Sequence, residues 1–204
     1  MRTKIAVAAG LLLAAGAGAA MAQAQSTQGA PALATGVCSA CHGREGQSVS
    51  PVFPRLAGQQ QAYIVLQLDA FRAHLRADPL AQAYMWGMAS QLSDATIDDL
   101  AKYYSSQKPA PGVAGAPALM AEGKKIYNEG IPAKKIAACA SCHGPNAEGA
   151  AAFPRLGGQH VEYLIAQLEG FKSGTRANAP IMIGEVRGMT PEQLRAVATY
   201  AASK

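Results

Sequence analysis

The chain has 204 residues, with 18 Lys and Arg against 13 Asp and Glu, a formal net charge of +5. Two of the basic residues, Arg2 and Lys4, fall in a removable leader. Without them 16 basic residues face 13 acidic ones, and a balance of +3 gives no support to nucleic-acid binding.

Residues 1–24 read as a signal peptide. Arg2 and Lys4 make a positive start, Ile5 to Ala15 is an unbroken run of small apolar residues, and Ala20-Met21-Ala22 or Ala22-Gln23-Ala24 offers a small-x-small cleavage site. The alternative is an uncleaved anchor, because the apolar run to Ala22 is almost long enough to span a bilayer. The Ala/Gly content and the polar Gln/Ser/Thr stretch that follows favour removal, and the expected location is the periplasm. No later segment is a transmembrane candidate.

A first unit covers residues 25–108. It opens with Cys38-Ser39-Ala40-Cys41-His42 and continues with Phe53-Pro54-Arg55-Leu56-Ala57-Gly58-Gln59. Ile64, Leu68, Phe71 and Leu75 then recur at helical spacing and predict one amphipathic helix. Met85 and Met88 follow, and Ser93 caps a last helix with the apolar face Ile97, Leu100, Ala101 and Tyr104. The uncharged Pro/Gly/Ala stretch at residues 109–117 has the composition of an extended linker.

The second unit, residues 118–204, repeats the first. Gly123 and Tyr127 lie on a lead-in helix able to cross the last helix, for which the first unit offers only Pro31 to Val37. Cys139-Ala140-Ser141-Cys142-His143 lies 101 residues after its counterpart, and Phe153-Pro154-Arg155-Leu156-Gly157-Gly158-Gln159 lies 100 after. Tyr163, Gln167, Leu168, Phe171 and Arg176 keep the offset of 100 from Tyr63, Gln67, Leu68, Phe71 and Arg76. Thr190, Pro191 and Gln193 form a capping box ahead of the apolar face Leu194, Val197, Ala198 and Ala201. No segment alternates as a strand does. The expected fold is all-α, in two homologous tandem domains.

The four cysteines are consumed by the two Cys-x-x-Cys-His motifs. Two thiols three residues apart can each add to a vinyl group of a haem, and the next histidine is carried under the iron. A zinc site would not need a histidine after each pair. A thioredoxin-like pair would need a preceding strand, and a disulfide would leave both histidines unexplained. The motifs therefore predict two covalently attached haem c groups, on Cys38 and Cys41 and on Cys139 and Cys142, with His42 and His143 as proximal ligands. Each unit is below about 90 residues, a size at which protein core alone supplies only a few kcal/mol, so haem completes the core.

The repeat also chooses the sixth ligand. Beyond Arg76 and Arg176 the offset falls to 97, set by Ser93/Thr190 and Tyr103/Tyr200, and Met85 then faces Met182. Met88 faces Glu185 and Met189 faces Leu92, so Met85 and Met182 are the distal candidates. Pro54 and Pro154 are the candidate carbonyl acceptors for the second ring N–H of each histidine. Arg55 and Arg155 are candidates for pairing with haem propionates. His74 and His160 have no histidine counterpart and read as exposed side chains.

These residues resemble the class I cytochromes c, duplicated as in the diheme cytochrome c4 family. The likeness rests on Cys-x-x-Cys-His, Phe-Pro-x-Leu-x-Gly-Gln, a mid-domain helix, a methionine and then Leu-Ser-Asp at Leu92-Ser93-Asp94. It carries the distal role to Met85, seven residues before Leu92. Met182 matches by spacing, although Met189-Thr190-Pro191 replaces Leu-Ser-Asp there. The resemblance implies two class I cytochrome c domains, each wrapped around one haem, with propionate edges close together near the domain interface. It also implies electron transfer toward a terminal oxidase rather than catalysis. The implied partners are redox proteins, a quinol-oxidising complex or a dehydrogenase as donor and a terminal oxidase as acceptor, with peripheral membrane association left open. The alternative functions are a cytochrome subunit of a periplasmic dehydrogenase and, more remotely, a haem peroxidase. Lys124, Lys125, Lys134 and Lys135 cluster before the second motif as a candidate docking patch for an acidic partner.

Overall fold

The computed structural model describes residues 29–204, so the leader assigned to residues 1–24 lies outside it. Among the described residues there is no β-strand, only the isolated bridges Ile131–Ile136 and Ala150–Phe153. No described helix is long and apolar enough to cross a membrane.

The first unit begins with helix α1 (Ala30–Leu33), a π-type turn (Ala34–Cys38) and helix α2 (Ser39–His42). These run on without a break, so the short lead-in is helical after all, and Ala30, Leu33 and Ala34 are buried. Pro31 sits in the first turn, where its missing N–H costs nothing. Helix α3 (Gln61–Arg72) carries Ile64 and Phe71 inward. The predicted apolar face continued to Leu75, but Leu75 lies beyond the helix and is 65% exposed. The cause is His74, whose φ of 57° reverses the chain while Leu75 N–H donates back to Ala70 O. Gly174 takes the same left-handed position in the second unit, where no Cβ penalty applies. The His74 ring stacks on Trp86 at 4.0 Å.

A π-type turn (Ala81–Met85) leads into helix α4 (Trp86–Ala89). Helix α5 (Asp94–Ser105) is capped by Ser93, whose Oγ accepts from Thr96 N–H, and buries Ile97, Leu100, Ala101 and Tyr104. Helices α1 and α3 pack on α5.

In the second unit Pro117, counted with the linker on composition, is the first residue of helix α6 (Pro117–Glu129). Helix α7 (Ala140–His143), helix α8 (Val161–Ser173), helix α9 (Pro180–Val186) and helix α10 (Pro191–Ala202) follow. The Thr190/Gln193 capping box is formed. Helix α6 crosses α10 so closely at Gly123 that a Cβ there would fall 2.1 Å from Ala196 O. The linker lies against the end of the same helix, where a Cβ on Gly112 would fall 2.2 Å from the Ser203 carbonyl.

Candidate functional site

Each Cys-x-x-Cys-His motif ends a helical turn, and the next glycine stops it. Gly43 and Gly144 have φ of 75° and 79°, and a Cβ on Gly43 would meet Gln47 O at 2.5 Å. The stop turns the chain back so that the Phe-Pro-Arg-Leu run passes beneath the histidine. His42 Nδ1 lies 2.9 Å from Pro54 O, and His143 Nδ1 lies 2.9 Å from Pro154 O. Phe53 and Phe153 meet the two imidazoles edge-on, at 6.3 and 6.4 Å between centroids. The histidines are buried, and burial lowers both pKa values below the usual imidazole value, with the proline carbonyls working the other way.

The donor set fits a haem. A neutral imidazole that donates from Nδ1 to a carbonyl keeps its Nε2 lone pair for iron, and among the described residues Nε2 has no protein partner. The four thiols are unpaired, with burial raising Cys38 and lifting Cys139 to about 11. Among the described residues no group of three or more His, Cys, Asp and Glu side chains is arranged to hold a metal ion, so the two cysteine pairs do not form one zinc knuckle. The Tyr104 hydroxyl is buried beside the Cys38 thiol, and burial and then that thiol push its pKa up.

The methionines differ in setting. Met85 is half-buried against the cluster of Phe71, Ala81 and Ala89, and Met182 packs on the core of the second unit. Met88 is 57% exposed, whereas Met189 is buried in the core.

The profile of the family described as Cytochrome c matches residues 26–108 and again 120–203. The chain belongs to the cytochrome c family. A cytochrome c4 from Thiocapsa roseopersicina is 41% identical, covering 89% of this chain and 94% of that protein. The thiosulfate dehydrogenase electron acceptor of Stutzerimonas stutzeri is 37% identical over 96% of this chain and 91% of its own length. The structure of cytochrome c4 from Acidithiobacillus ferrooxidans superposes with a TM-score of 0.76 at 42% identity, covering 82% of this chain and 98% of that one. This cytochrome thus has two tandem cytochrome c domains with two covalently attached haem c groups, and it transfers electrons.

Between the domains of this cytochrome the repeat becomes a pseudo-twofold seam that sequence reading missed. Gln159 Oε1 accepts from Arg55 N–H at 2.9 Å while its Nε2 donates to Arg55 O at 2.9 Å. Gln59 does the same to Arg155, at 2.7 and 3.0 Å. Gln60 Nε2 donates to Glu148 O, and His160 Nε2 lies 2.9 Å from Ser48 O in the equivalent place. His160 is therefore not a free surface side chain; it is the counterpart of Gln60 and supplies the same donor from a ring.

Deeper in the seam two buried arginines face each other's repeat. Arg76 donates to Asp78, Gln67, Gln167 and Tyr163, and Arg176 to Gln167, Gln67 and Tyr63. Each guanidinium also covers its own phenylalanine, Arg76 on Phe71 at 4.7 Å and Arg176 on Phe171 at 4.4 Å. Burial disfavours the Arg76 cation, yet Tyr163, Tyr63 and Asp78 hold it firmly protonated. Arg176 has Asn178 in place of a carboxylate, and its Nε and Asn178 Oδ1 are buried without partners among the described residues.

Arg55 and Arg155 lie on this seam as well. Arg55 spends Nη1 on Gly158 O at 2.5 Å and Nε on Ser48 O, while Arg155 uses Nε on Gly157 O. Both Nη groups of Arg155 lack a protein acceptor among the described residues.

Proposed function

We propose that His42 with Met85, and His143 with Met182, are the axial ligands of the two haems, and that the protein is an exported periplasmic carrier rather than an enzyme. The observation that carries this reading is the matched pair of imidazoles held by proline carbonyls at 2.9 Å, each in a domain with a methionine at the same repeat position. When bound, haem supplies a one-electron iron couple. The chain supplies the rest: Pro54 and Pro154 orient the histidines, Phe53 and Phe153 flank them, and neutral thioethers favour the reduced state over bis-histidine ligation. The free Nη groups of Arg155, and the one Arg55 has left, are the propionate contacts in this reading. The domains run over residues 25–108 and 118–204.

A redox titration followed in the visible region tests the ligands. Met85→Ala and Met182→Ala should each abolish one iron–thioether charge-transfer band and lower one midpoint. Unchanged bands would transfer the role to another residue, Met88 first.

For partners the reading is a quinol-oxidising complex or dehydrogenase as donor and a terminal oxidase as acceptor. A dehydrogenase partner has specific support in the likeness to thiosulfate dehydrogenase electron acceptors. Co-purification of a dehydrogenase from the native periplasm would establish the subunit reading, and isolation of the cytochrome alone with rapid oxidation by membranes would establish the free carrier.

A further inference from the structure

The Pro54–Arg55 peptide is used from both ends. Its carbonyl faces His42 Nδ1 at 2.9 Å, and its N–H donates across the seam to Gln159 Oε1 at 2.9 Å. The Pro154–Arg155 peptide repeats this with His143 and Gln59, at 2.9 and 2.7 Å. Both glutamines are buried, 7% exposed for Gln59 and 8% for Gln159. Their orientation is fixed by chemistry. Gln159 Oε1 receives His160 N–H as well as Arg55 N–H, and Gln59 Oε1 receives Gln60 N–H as well as Arg155 N–H. Two backbone donors pointing at one atom require an oxygen there, so each Nε2 is left to face the arginine carbonyl.

The geometry points to Gln59 and Gln159 as crossed positioning residues: each glutamine polarises and holds the peptide that receives the proximal imidazole of the other domain, and so sets the reduction potential of the other domain's haem. The inference rests on the assignment of His42 and His143 as proximal ligands.

The physical step is short. A peptide that donates at N–H gains negative charge on its own oxygen, and hydrogen bonds in such a chain strengthen one another by roughly 10–30%. A stronger acceptor at Pro54 O draws the His42 Nδ1 proton further and makes the imidazole a more electron-rich ligand. That favours ferric iron and lowers the midpoint. Removing the glutamine bond weakens the acceptor and raises it. The amide also grips Arg55 at both N–H and C=O, so the peptide plane cannot rotate away from the histidine while the domains stay docked.

Gln59 belongs to the same Phe-Pro-Arg-Leu-Ala-Gly-Gln run as Pro54. A local role would have it act on its own haem. The structure instead sends it to Arg155, and the crossing makes the idea testable.

The experiment uses the diheme holoprotein and the variants Gln159→Met and Gln59→Met, which keep side-chain length and lose both amide bonds. Two quantities are read: the two midpoints, and the proton NMR positions of the His42 and His143 Nδ1–H in the reduced diamagnetic protein. Gln159→Met should raise the midpoint of the haem on Cys38 and Cys41 and move the His42 signal upfield, leaving the other haem and His143 at wild-type values. Gln59→Met should do the reverse. Gln60→Ala, which removes a seam bond to Glu148 O and none to either peptide, should move neither signal. Shifts on the haem of the mutated residue's own domain, or no shift in either, would overturn the proposal. If small-angle scattering shows that a glutamine variant has separated its domains, both histidine signals should move together, and unmoved signals there would overturn it equally. Failure of the ligand assignment looks different. The wild-type spectrum would then lack histidine Nδ1–H signals displaced by a haem ring current, before any variant is made.

Discussion

Replacing Asp78 with Asn isolates the one buried ion pair among the described residues, which lies at the seam. Arg76 and Asp78 are 4% and 5% exposed, with Nε and Oδ1 2.8 Å apart. The substitution keeps the shape and removes the charge. Removing one partner of a buried pair costs about 3–5 kcal/mol, because the other charge is left uncompensated. Arg76 keeps its acceptors on Gln67, Gln167 and Tyr163 and its place over Phe71, which argues for the lower end, about 3 kcal/mol. Arg176 shows that neutral acceptors can seat a guanidinium here, since it has Asn178 where the first repeat has Asp78. Two of the Arg76 bonds cross the seam, so the domains should unfold together. For a unit of 150–250 residues 1 kcal/mol moves the midpoint by about 2–4 °C, so Asp78→Asn should lower Tm by about 6–12 °C. The assay is a thermal melt of the holoprotein by far-ultraviolet circular dichroism. Asn178→Asp, which gives Arg176 the missing carboxylate, should raise Tm. An Asp78→Asn midpoint equal to wild type would refute the reasoning, and a split into two transitions would refute the shared unfolding.

Removal of one haem by Cys38→Ala with Cys41→Ala should leave the first domain without a cooperative transition, because its core is small and built around the cofactor; a melt equal to that of the holoprotein would count against this. His160 has a folded pKa below the ordinary 6.5, through burial and then the nearby Arg55 charge. Its contribution to stability is therefore fully present above about 6.5 and lost as pH falls toward the lower folded value, since the unfolded chain takes the proton first. His160→Gln should keep the seam bond, as Gln60 does in the other half, and flatten that part of the urea-stability profile; an unaltered profile would reject the assignment. Lys124, Lys125, Lys134 and Lys135 are all exposed. Charge reversal there should slow oxidation by an acidic partner and weaken its salt dependence, and unchanged rates would make the cluster a solvated face.

Much of the local structure was legible because caps and periodicity act locally. Ser93, Thr190 and Gln193 cap helices as their residue types demand, and Gly123 lies where two helices must touch. The internal alignment could pair Met85 with Met182 because equivalent positions need no knowledge of contacts. Leu75 failed because the period of four continued past a helix that His74 ends, and a histidine in a left-handed conformation carries no sequence signal as glycine does. The Gln59 and Gln159 contacts were invisible for another reason. An alignment of repeats says which residues are equivalent, and a twofold seam then joins positions that are not: Gln59 meets Arg155, never Gln159. The offset of 100 shared by Gln60 and His160 was the available clue, and a difference in residue type concealed it.

The polar make-up of the seam bears on what an electron-transfer protein needs from two domains. Domains in one chain move relative to each other by default when their interface is small and polar. Here the polar groups are not spread as adaptable surface contacts. Gln59, Gln159, Gln60 and His160 all bond to backbone of the opposite domain, which has no rotamer to yield. Arg76 and Arg176 are fixed on two sides, by amide and hydroxyl oxygens and by a phenylalanine face. Each bond contributes only about 0.5–1.5 kcal/mol net, yet each accepts a narrow range of distance and angle. Such a set gives more to geometry than to affinity. An apolar seam of equal area would tolerate sliding, whereas sliding here breaks several bonds together. Sliding is thereby opposed at every one of these contacts, and the two cofactor sites are tied to one relative placement.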